Sequence, residues 1–258
     1  MLRPRIIPCL LVRKGGLVKT VRFGESKYVG DPLNAVRIFN EKQVDELMVV
    51  DIDATVNGKE PDYKMISNLA AECRMPLCYG GGVKRVDQVE RLITLGVEKI
   101  AIGSAAIENP DLIVQAAARV GSQSIVGVVD VKSTGILRSY EVVTMNGKKR
   151  TGFEPTDYAH RLENLGAGEI FLNSVDCDGE MKGYDFSLID RVRKAVKVPL
   201  TVLGGAGSVN DIKKLVQCYP VIGAAAGSLF VFKGKYKAVL INYPTLIEKE
   251  ALLLSDQL

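Results

Sequence analysis

Short apolar runs alternate with segments of mixed polarity along the chain, and the alternation occurs eight times. Runs of this length that are rich in Val and Ile are typical of parallel strands buried on both faces. The runs cover residues 6–12, 46–51, 76–79, 98–102, 125–130, 169–173, 199–203 and 221–226. The segments between them predict helices, two of which begin at Asp31-Pro32 and Glu154-Pro155, where an acidic cap precedes a proline. Eight strand–helix units in 258 residues predict an α/β fold, a single (β/α)8 TIM barrel, rather than an open sheet.

Two connections and the chain end stand outside this alternation. The stretch over residues 13–30 is long and polar, and long loops in compact domains are usually lids or binding loops. Residues 138–151 predict a polar hairpin that turns at Asn146-Gly147. We expect the barrel to occupy residues 1–244, and residues 245–258 to form a C-terminal extension with a short helix.

The two halves of the chain repeat one another in register. Matching residues recur 123 or 124 positions apart: Pro76 with Pro199, Gly81-Gly82 with Gly204-Gly205, Gly103-Ser104 with Gly227-Ser228, Asp31-Pro32 with Glu154-Pro155, and Glu46 with Glu169. Two duplicated half-barrels of four strand–helix units each explain this pattern.

The glycine-rich turns after four of the strands predict phosphate sites. Glycine lets backbone N–H groups approach an anion, and the N-terminus of the following helix favours negative charge. In (β/α)8 barrels the loops after strands seven and eight often bind phosphate. Here those loops contain Gly204, Gly205, Gly227 and Ser228, and the first half carries the copies Gly81, Gly82, Gly103 and Ser104. Two such sites predict an elongated ligand with a phosphate near each end. The simpler alternative is that these glycines only turn the chain tightly.

A carboxylate at the end of the fifth apolar run is the candidate catalytic residue. Asp130 ends this run, and a charge at the C-terminal end of a buried strand belongs at the mouth of a barrel. The alternative is an Asp that only caps the next turn. In the half-barrel register Leu11 lies opposite Asp130, so the pair that two carboxylates would form for acid–base work is reduced to one.

Four charged residues lie at the other ends of the strands. Arg5, Glu46, Lys99 and Glu169 begin strands one, two, four and six, and these ends converge on the bottom face of a barrel. The ring has either a special role or is a solvated cluster of ion pairs.

Composition narrows the possible functions. The net charge of +4 is mild and no basic run occurs, which argues against a nucleic-acid partner. The five cysteines include no CxxC motif, which fits a reducing cytoplasm and argues against a zinc site. No ligand spacing among the aspartates supports a metal, and no motif predicts a cofactor. No apolar run approaches ~18 residues, so we expect neither a membrane span nor a membrane partner, and the N-terminus does not resemble a signal peptide.

Several motifs together resemble the cyclase subunit of imidazole glycerol phosphate synthase over roughly residues 1–232. They are residues 5–10 (RIIPCL), Gly30-Asp31-Pro32, Gly80-Gly81-Gly82, residues 166–170 (GAGEI), residues 176–179 and residues 204–208. The resemblance implies a lyase-type synthase of a glutamine amidotransferase complex that uses a phosphorylated substrate. It implies a glutaminase partner on the bottom face, with ammonia passing a gate at Arg5, Glu46, Lys99 and Glu169. It also implies substrate-binding roles for Lys19 and Asp176.

The chain departs from this family at positions that matter for chemistry. Leu11 replaces one of two catalytic aspartates, Gly103 and Asp53 replace the usual Asn and Thr, and residues 233–244 differ from the last helix. These features resemble a paralogous branch that forms acetamidino sugars for surface polysaccharides, and we predict that function first. Under this hypothesis the natural protein has little cyclase activity and Leu11→Asp restores it. The alternatives are a histidine-pathway cyclase, which converts ribulosyl-formimino-AICAR phosphate and ammonia to imidazole glycerol phosphate and AICAR, and a non-catalytic ammonia conduit.

Overall fold

Eight parallel strands close into a barrel in a computed structural model that describes residues 3–135 and 139–253. The strands are β1 Arg5–Arg13, β2 Leu47–Asp51, β3 Leu77–Gly80, β4 Lys99–Ile102, β5 Ile125–Thr134, β6 Glu169–Ser174, β7 Leu200–Leu203 and β8 Gly223–Ala226. Each strand pairs with the next along the chain, and β8 pairs with β1, so no edge is left open. The predicted (β/α)8 barrel is confirmed.

Helices follow the strands and form the outer layer. The longer ones are α1 Pro32–Glu41, α2 Tyr63–Glu72, α3 Val86–Thr94, α4 Asp111–Val120, α5 Pro155–Asn164, α6 Phe186–Ala195, α7 Val209–Cys218 and α8 Leu246–Leu253. The caps predicted for α1 and α5 form, since Asp31 accepts from Asn34 N, and Glu154 accepts from Thr156 N and Asp157 N. Among the described residues, no helix is both long enough and apolar enough to cross a membrane.

The sheet separates two apolar cores. The larger core fills the space between strands and helices. The smaller core lies inside the barrel, where every second residue of a strand points inward. Its members are Ile7, Cys9, Met48, Cys78, Ala101, Val126, Phe171, Leu203 and Ala225. The barrel interior is therefore apolar between its two polar ends.

The first strand of each half extends beyond the barrel. β1 turns back into Gly16–Lys19, which pairs with Lys27–Gly30, so the polar stretch predicted as a loop contains two short strands. β5 likewise continues to Thr134 and pairs with Ser139–Thr144, which pairs with Lys149–Arg150. The second excursion is the hairpin expected from Asn146-Gly147, apart from residue 138, which lies outside the described residues.

An extended segment separates the last strand from the last helix of the outer layer. After the short helix Ser228–Val231, two strands (Phe232–Lys233 and Ala238–Val239) pair, and the chain then runs to α8. The Tyr243 hydroxyl donates to Ile6 O at 2.9 Å and accepts from Asp45 N at 3.2 Å. Lys249 Nζ donates to Asp45 Oδ1 at 2.8 Å, which anchors α8 beneath β1 and β2. Residues 254–258 of the expected extension, and residues 1 and 2 of the barrel segment, lie outside the described residues.

Candidate active site at the carboxyl ends of the strands

A cavity of about 990 Å³, partly open to solvent, occupies the C-terminal mouth of the barrel. Four of the residues singled out in the sequence line it, namely Gly81, Gly103, Ser104 and Asp130. Leu11, which replaces a carboxylate in the family pattern, lines it as well.

Asp130 lies in the cavity wall with one carboxylate oxygen held. Asn173 follows on the neighbouring strand in direct register, and its Nδ2 donates to Asp130 Oδ1 at 3.0 Å. Burial raises the pKa of Asp130 to about 6, an effect that the bond from Asn173 opposes and nearby Asp178 reinforces. A carboxyl group with this pKa exchanges protons near neutral pH, which is what a general acid or base requires.

The residues of the first half that correspond to Asp130 and Asn173 carry no acid–base group. Leu11 and Val50 occupy the same register positions on β1 and β2, and both side chains are apolar. Neither can transfer a proton or accept a hydrogen bond. This pair of the first half therefore contributes no acid–base group, although Asp51, also of the first half, lines the cavity and has a pKa that burial raises.

The sequence-based prediction did not assign a site role to Asp178, which lines the cavity together with Asp51 and Asp130. Asp178 Oδ2 accepts from Thr20 Oγ1 at 3.1 Å, and both residues line the cavity. Burial raises the pKa of Asp178, although Lys19 and Thr20 act in the opposite direction. The pattern Asp176-x-Asp178-Gly179 carried the signal, but the direction of each side chain depends on the loop conformation.

Lys19 is buried beside these groups. Its ammonium donates to Cys9 O, and a Cβ on Gly227 would overlap Lys19 Nζ. Burial lowers the pKa of Lys19, while Cys9 and Asp178 raise it. Lys19 thus presents its amino group against the predicted phosphate turn at Gly227-Ser228, where the short helix Ser228–Val231 begins.

Asp176, predicted as a substrate-binding residue, is not among the described residues that line the cavity. Its Oδ2 accepts from Ser133 N at 2.7 Å and from Ser133 Oγ at 2.8 Å. These bonds hold the loop after β6 against the extension of β5. The structure thus brings Asp178, and not Asp176, to the cavity.

The paired glycines fulfil the same backbone requirement in both halves. Gly81 and Gly204 have positive φ values of 114° and 98°, and a Cβ on either would lie 2.4 Å from a carbonyl oxygen, Asp51 O or Ser174 O. Gly82 and Gly205 also have positive φ, and their added Cβ atoms would lie 2.7 and 2.0 Å from the backbone of the preceding loop. Close packing of turns therefore requires glycine here, whether or not an anion binds.

The hairpin reaches across the mouth from the second half to the first. Asn146 Nδ2 donates to Ile52 O at 2.8 Å, and Lys132 Nζ holds the tip through Gly147 O at 2.9 Å. Met145, Asn146 and Phe23 line the cavity beneath this tip. The hairpin and the first loop together limit access of solvent to Asp130.

The four charged residues predicted at the base do converge. Lys99 Nζ contacts carboxylate oxygens of both Glu46 and Glu169 at 2.9 Å. Arg5 contacts Glu169 at 2.6 Å and also pairs with Glu46, and the Thr201 hydroxyl donates to Glu169. Burial alone would raise the pKa of Glu169, but Arg5 and Lys99 lower it, so it stays ionised. The ring closes the bottom of the apolar interior with compensated charges.

The described groups of the cavity and of the charged ring do not form a metal-binding cluster. Within residues 3–135 and 139–253, no three His, Cys, Asp or Glu side chains converge in a way that would hold a metal ion.

A (β/α)8 barrel with titratable groups in a cavity at its strand ends has the organisation of barrel enzymes. The chain belongs to the family described as histidine biosynthesis protein, which matches residues 5–237. It is similar to the "putative imidazole glycerol phosphate synthase subunit hisF3" of Vibrio vulnificus (strain YJ016), with 58% identity over 98% of this chain and 97% of the relative. It is 50% identical to the "putative imidazole glycerol phosphate synthase subunit hisF2" of Pseudomonas aeruginosa (strain PAO1), over 95% of this chain and 97% of the relative.

A third relative carries the unqualified name. The chain is 37% identical to the imidazole glycerol phosphate synthase subunit HisF of Lactococcus lactis subsp. lactis (strain IL1403), over 98% of this chain and all of the relative. The resemblance to this cyclase family, predicted from the motifs, is confirmed. None of these three names refers to acetamidino sugars.

Proposed function

We propose that this chain is the ammonia-using synthase subunit of a glutamine amidotransferase of the imidazole glycerol phosphate synthase type. The observation that carries the proposal is the arrangement of three layers along the barrel axis. A compensated ring of charges closes the base, an apolar interior follows, and Asp130 lies in an open cavity at the mouth. Ammonia is neutral and small, so an apolar interior admits it more readily than ammonium.

The cyclase reaction is the first candidate for what happens in the cavity, because the relatives are named for that enzyme. In this proposal ribulosyl-formimino-AICAR phosphate reacts with ammonia to give imidazole glycerol phosphate, AICAR and water. Asp130 acts as one acid–base group, and Asp178 supplies the second carboxylate that the Leu11 position lacks. The two carboxyl groups have different environments, since Lys19 and Thr20 are close to Asp178 while Asn173 bonds Asp130.

The ends of the substrate are assigned to the two sets of glycine turns. One phosphate binds at Gly204, Gly205, Gly227 and Ser228 with Lys19, and the other binds at Gly81, Gly82, Gly103 and Ser104. Asp176 supports the loop between these sites. The two-fold register of the turns is the support for this assignment.

A glutaminase subunit is the proposed partner at the bottom face. The ring of Arg5, Glu46, Lys99 and Glu169 then acts as the gate for ammonia, and the complex works in the cytoplasm. The convergence of these four side chains on the axis supports a gate, since an ordinary surface ion pair would not need two buried glutamates.

Leu11 favours a second candidate, the formation of acetamidino sugars for surface polysaccharides by the same type of complex. A cavity with Leu11 and Val50 in place of polar groups differs on one side from a two-carboxylate cyclase. In this case the acceptor of ammonia is a different molecule and Asp130 acts alone.

Product formation with ammonium salt in place of the glutaminase tests the proposal. The purified chain is incubated with ribulosyl-formimino-AICAR phosphate, and release of AICAR is measured. We expect ammonia-dependent AICAR release that Asp130→Asn abolishes. No release from the natural protein, with its fold intact, would reject the cyclase and favour the second candidate.

A further inference from the structure

The side-chain amide of Asn173 has one polar atom that lacks a hydrogen-bond partner among the described residues. Asn173 lines the cavity but is only 5% exposed. Its Nδ2 donates to Asp130 Oδ1 at 3.0 Å, whereas its Oδ1 is buried and accepts no hydrogen bond from any described residue. Such buried acceptors are rare because each costs free energy. A donor supplied by a ligand would remove that cost.

The position of Asn173 in the barrel indicates which ligand would donate a hydrogen bond to its Oδ1. Glu169, Phe171 and Asn173 alternate along β6, so all three face the barrel axis. Glu169 belongs to the charged ring, Phe171 belongs to the apolar interior, and Asn173 reaches the cavity. At about 3.3 Å per residue, the strand places Asn173 roughly 13 Å above the ring. A small molecule that passes the ring and the interior therefore meets the Asn173–Asp130 pair.

We propose that Asn173 Oδ1 accepts an N–H of ammonia arriving through the barrel, which makes Asn173 part of a binding site for the nucleophile. The inference rests on the proposed function and adds a residue to it. Ammonia has three N–H groups and one lone pair, so a bond to Oδ1 leaves the lone pair free for a substrate. The bond from Nδ2 to Asp130 fixes the orientation of the amide, and no described residue donates to the buried Oδ1. Ammonia is thereby held beside the carboxylate.

Two substitutions separate the acceptor from the rest of the side chain. Both substitutions remove the Nδ2 donor to Asp130. They differ in the acceptor, because Asn173→Leu removes it at nearly the same shape, whereas Asn173→Asp retains acceptor oxygens. Asn40→Leu is the matched control, because Asn40 lies on the outer layer and its amide bonds Glu72 O and Arg74 N. Thermal unfolding establishes that each variant is folded.

The first measurement is the KM for ammonia with ammonium salt as the nitrogen source. Assays are run well above pH 6, so that Asp130 is ionised and loss of the bond from Asn173 does not change its charge. We expect Asn173→Leu to raise the KM for ammonia about five- to tenfold, as for one lost hydrogen bond, with little change in the KM for the phosphorylated substrate. Asn173→Asp should retain most of the affinity. An unchanged KM for ammonia in folded Asn173→Leu, or a rise only in the KM for the phosphorylated substrate, would overturn the assignment.

A second measurement does not depend on turnover. The side-chain amide signal of Asn173 is followed by NMR during titration with ammonium chloride at alkaline pH, against potassium chloride as the control. A saturable shift specific to ammonium chloride supports the site, even if the cyclase assay shows no product. Absence of any shift in the natural protein overturns the site, even if product forms.

Discussion

The two halves of the barrel share their backbone requirements but differ in their chemistry. Gly81 and Gly204 have the same positive-φ backbone conformation and face equivalent carbonyl oxygens, those of Asp51 and Ser174. At the mouth, by contrast, the apolar pair Leu11 and Val50 in the first half corresponds to the hydrogen-bonded pair Asp130 and Asn173 in the second. Turn geometry thus remains symmetric where packing demands it, while the side chains that act on a ligand differ.

At the base of the barrel, by contrast, the first half contributes more of the charged side chains than the second half does. Glu46 and Glu169 are symmetric members of the ring, but both cations, Arg5 and Lys99, come from the first half. The counterpart of Lys99 in the second half is Gly223, where a Cβ would overlap Thr201 Oγ1. The hydroxyl of Thr201 there serves Glu169 as a hydrogen-bond donor. Each end of the barrel therefore depends mainly on a different half.

Removing the carboxylate of Asp130, in the second half, should have the largest effect on activity. We expect Asp130→Asn to lower ammonia-dependent turnover about 10²–10⁴-fold, the usual loss for a positioned acid–base group. Leu11→Val, at the equivalent position of the first half, should change turnover far less. AICAR release under saturating ammonium salt is the measurement, and similar losses in both variants would contradict the division between the halves.

Removing a cation from the base should damage both stability and coupling. Lys99→Met leaves Glu46 and Glu169 close together with only Arg5 to compensate them, and breaking a buried pair costs about 3 kcal/mol or more. Lys194→Met is the control, since Lys194 forms an exposed pair with Asp190.

In the complex with a glutaminase, Lys99→Met should also lower the ratio of product to glutamate. Chemical denaturation gives the first result and quantification of both products gives the second. An unchanged ratio would argue against the gate.

The paired glycines should respond equally in the two halves. Gly81→Ala and Gly204→Ala both force a Cβ against a carbonyl oxygen at positive φ, and we expect each to lower the free energy of unfolding by roughly 2–3 kcal/mol. Gly58→Ala has positive φ but open space around the added Cβ, so its loss should be smaller. Urea titrations measure all three. A large loss at only one of Gly81 and Gly204 would break the symmetry that the backbone indicates.

The smallest expected effect is a pH dependence of stability that Asp130 produces. Its pKa is raised to about 6 by burial, so the folded protein binds the proton more tightly than the unfolded chain does. The associated stability is present below about pH 4 and is lost as pH rises through about 6. Asp130→Asn should therefore gain stability relative to the natural protein between these values. Melting temperatures across the range test this, and a constant difference between the two proteins would contradict the raised pKa.

The sequence was sufficient to predict the barrel and its duplication, because buried strands and glycine turns leave local signals. It also placed Asp130 and the four charged residues of the ring, since strand ends define where side chains converge. The sequence predicts shorter strands β1 and β5 than the structure shows, because the outer parts of these strands are polar and pair outside the barrel.

The side chains on loops could not be placed in this way. Asp178 and Asp176 are two residues apart, and only the folded loop directs the first to the cavity and the second to Ser133. Asn173 did leave a signal, because it ends an apolar run just as Asp130 does. Its partner and its unpaired oxygen, however, depend on the register between β5 and β6.

The central claim is that Asp130 and Asp178, both in the second half, carry the acid–base chemistry of an ammonia-using cyclase. Comparing AICAR release by the natural protein and by Leu11→Asp, with ammonium salt and ribulosyl-formimino-AICAR phosphate, tests this claim most directly. We expect the natural protein to form product and Leu11→Asp to change the rate less than about tenfold, well below the loss for a required acid–base group. An inactive natural protein together with an active Leu11→Asp variant would contradict the claim, because the missing carboxylate of the first half would then be the one that the cyclase reaction requires.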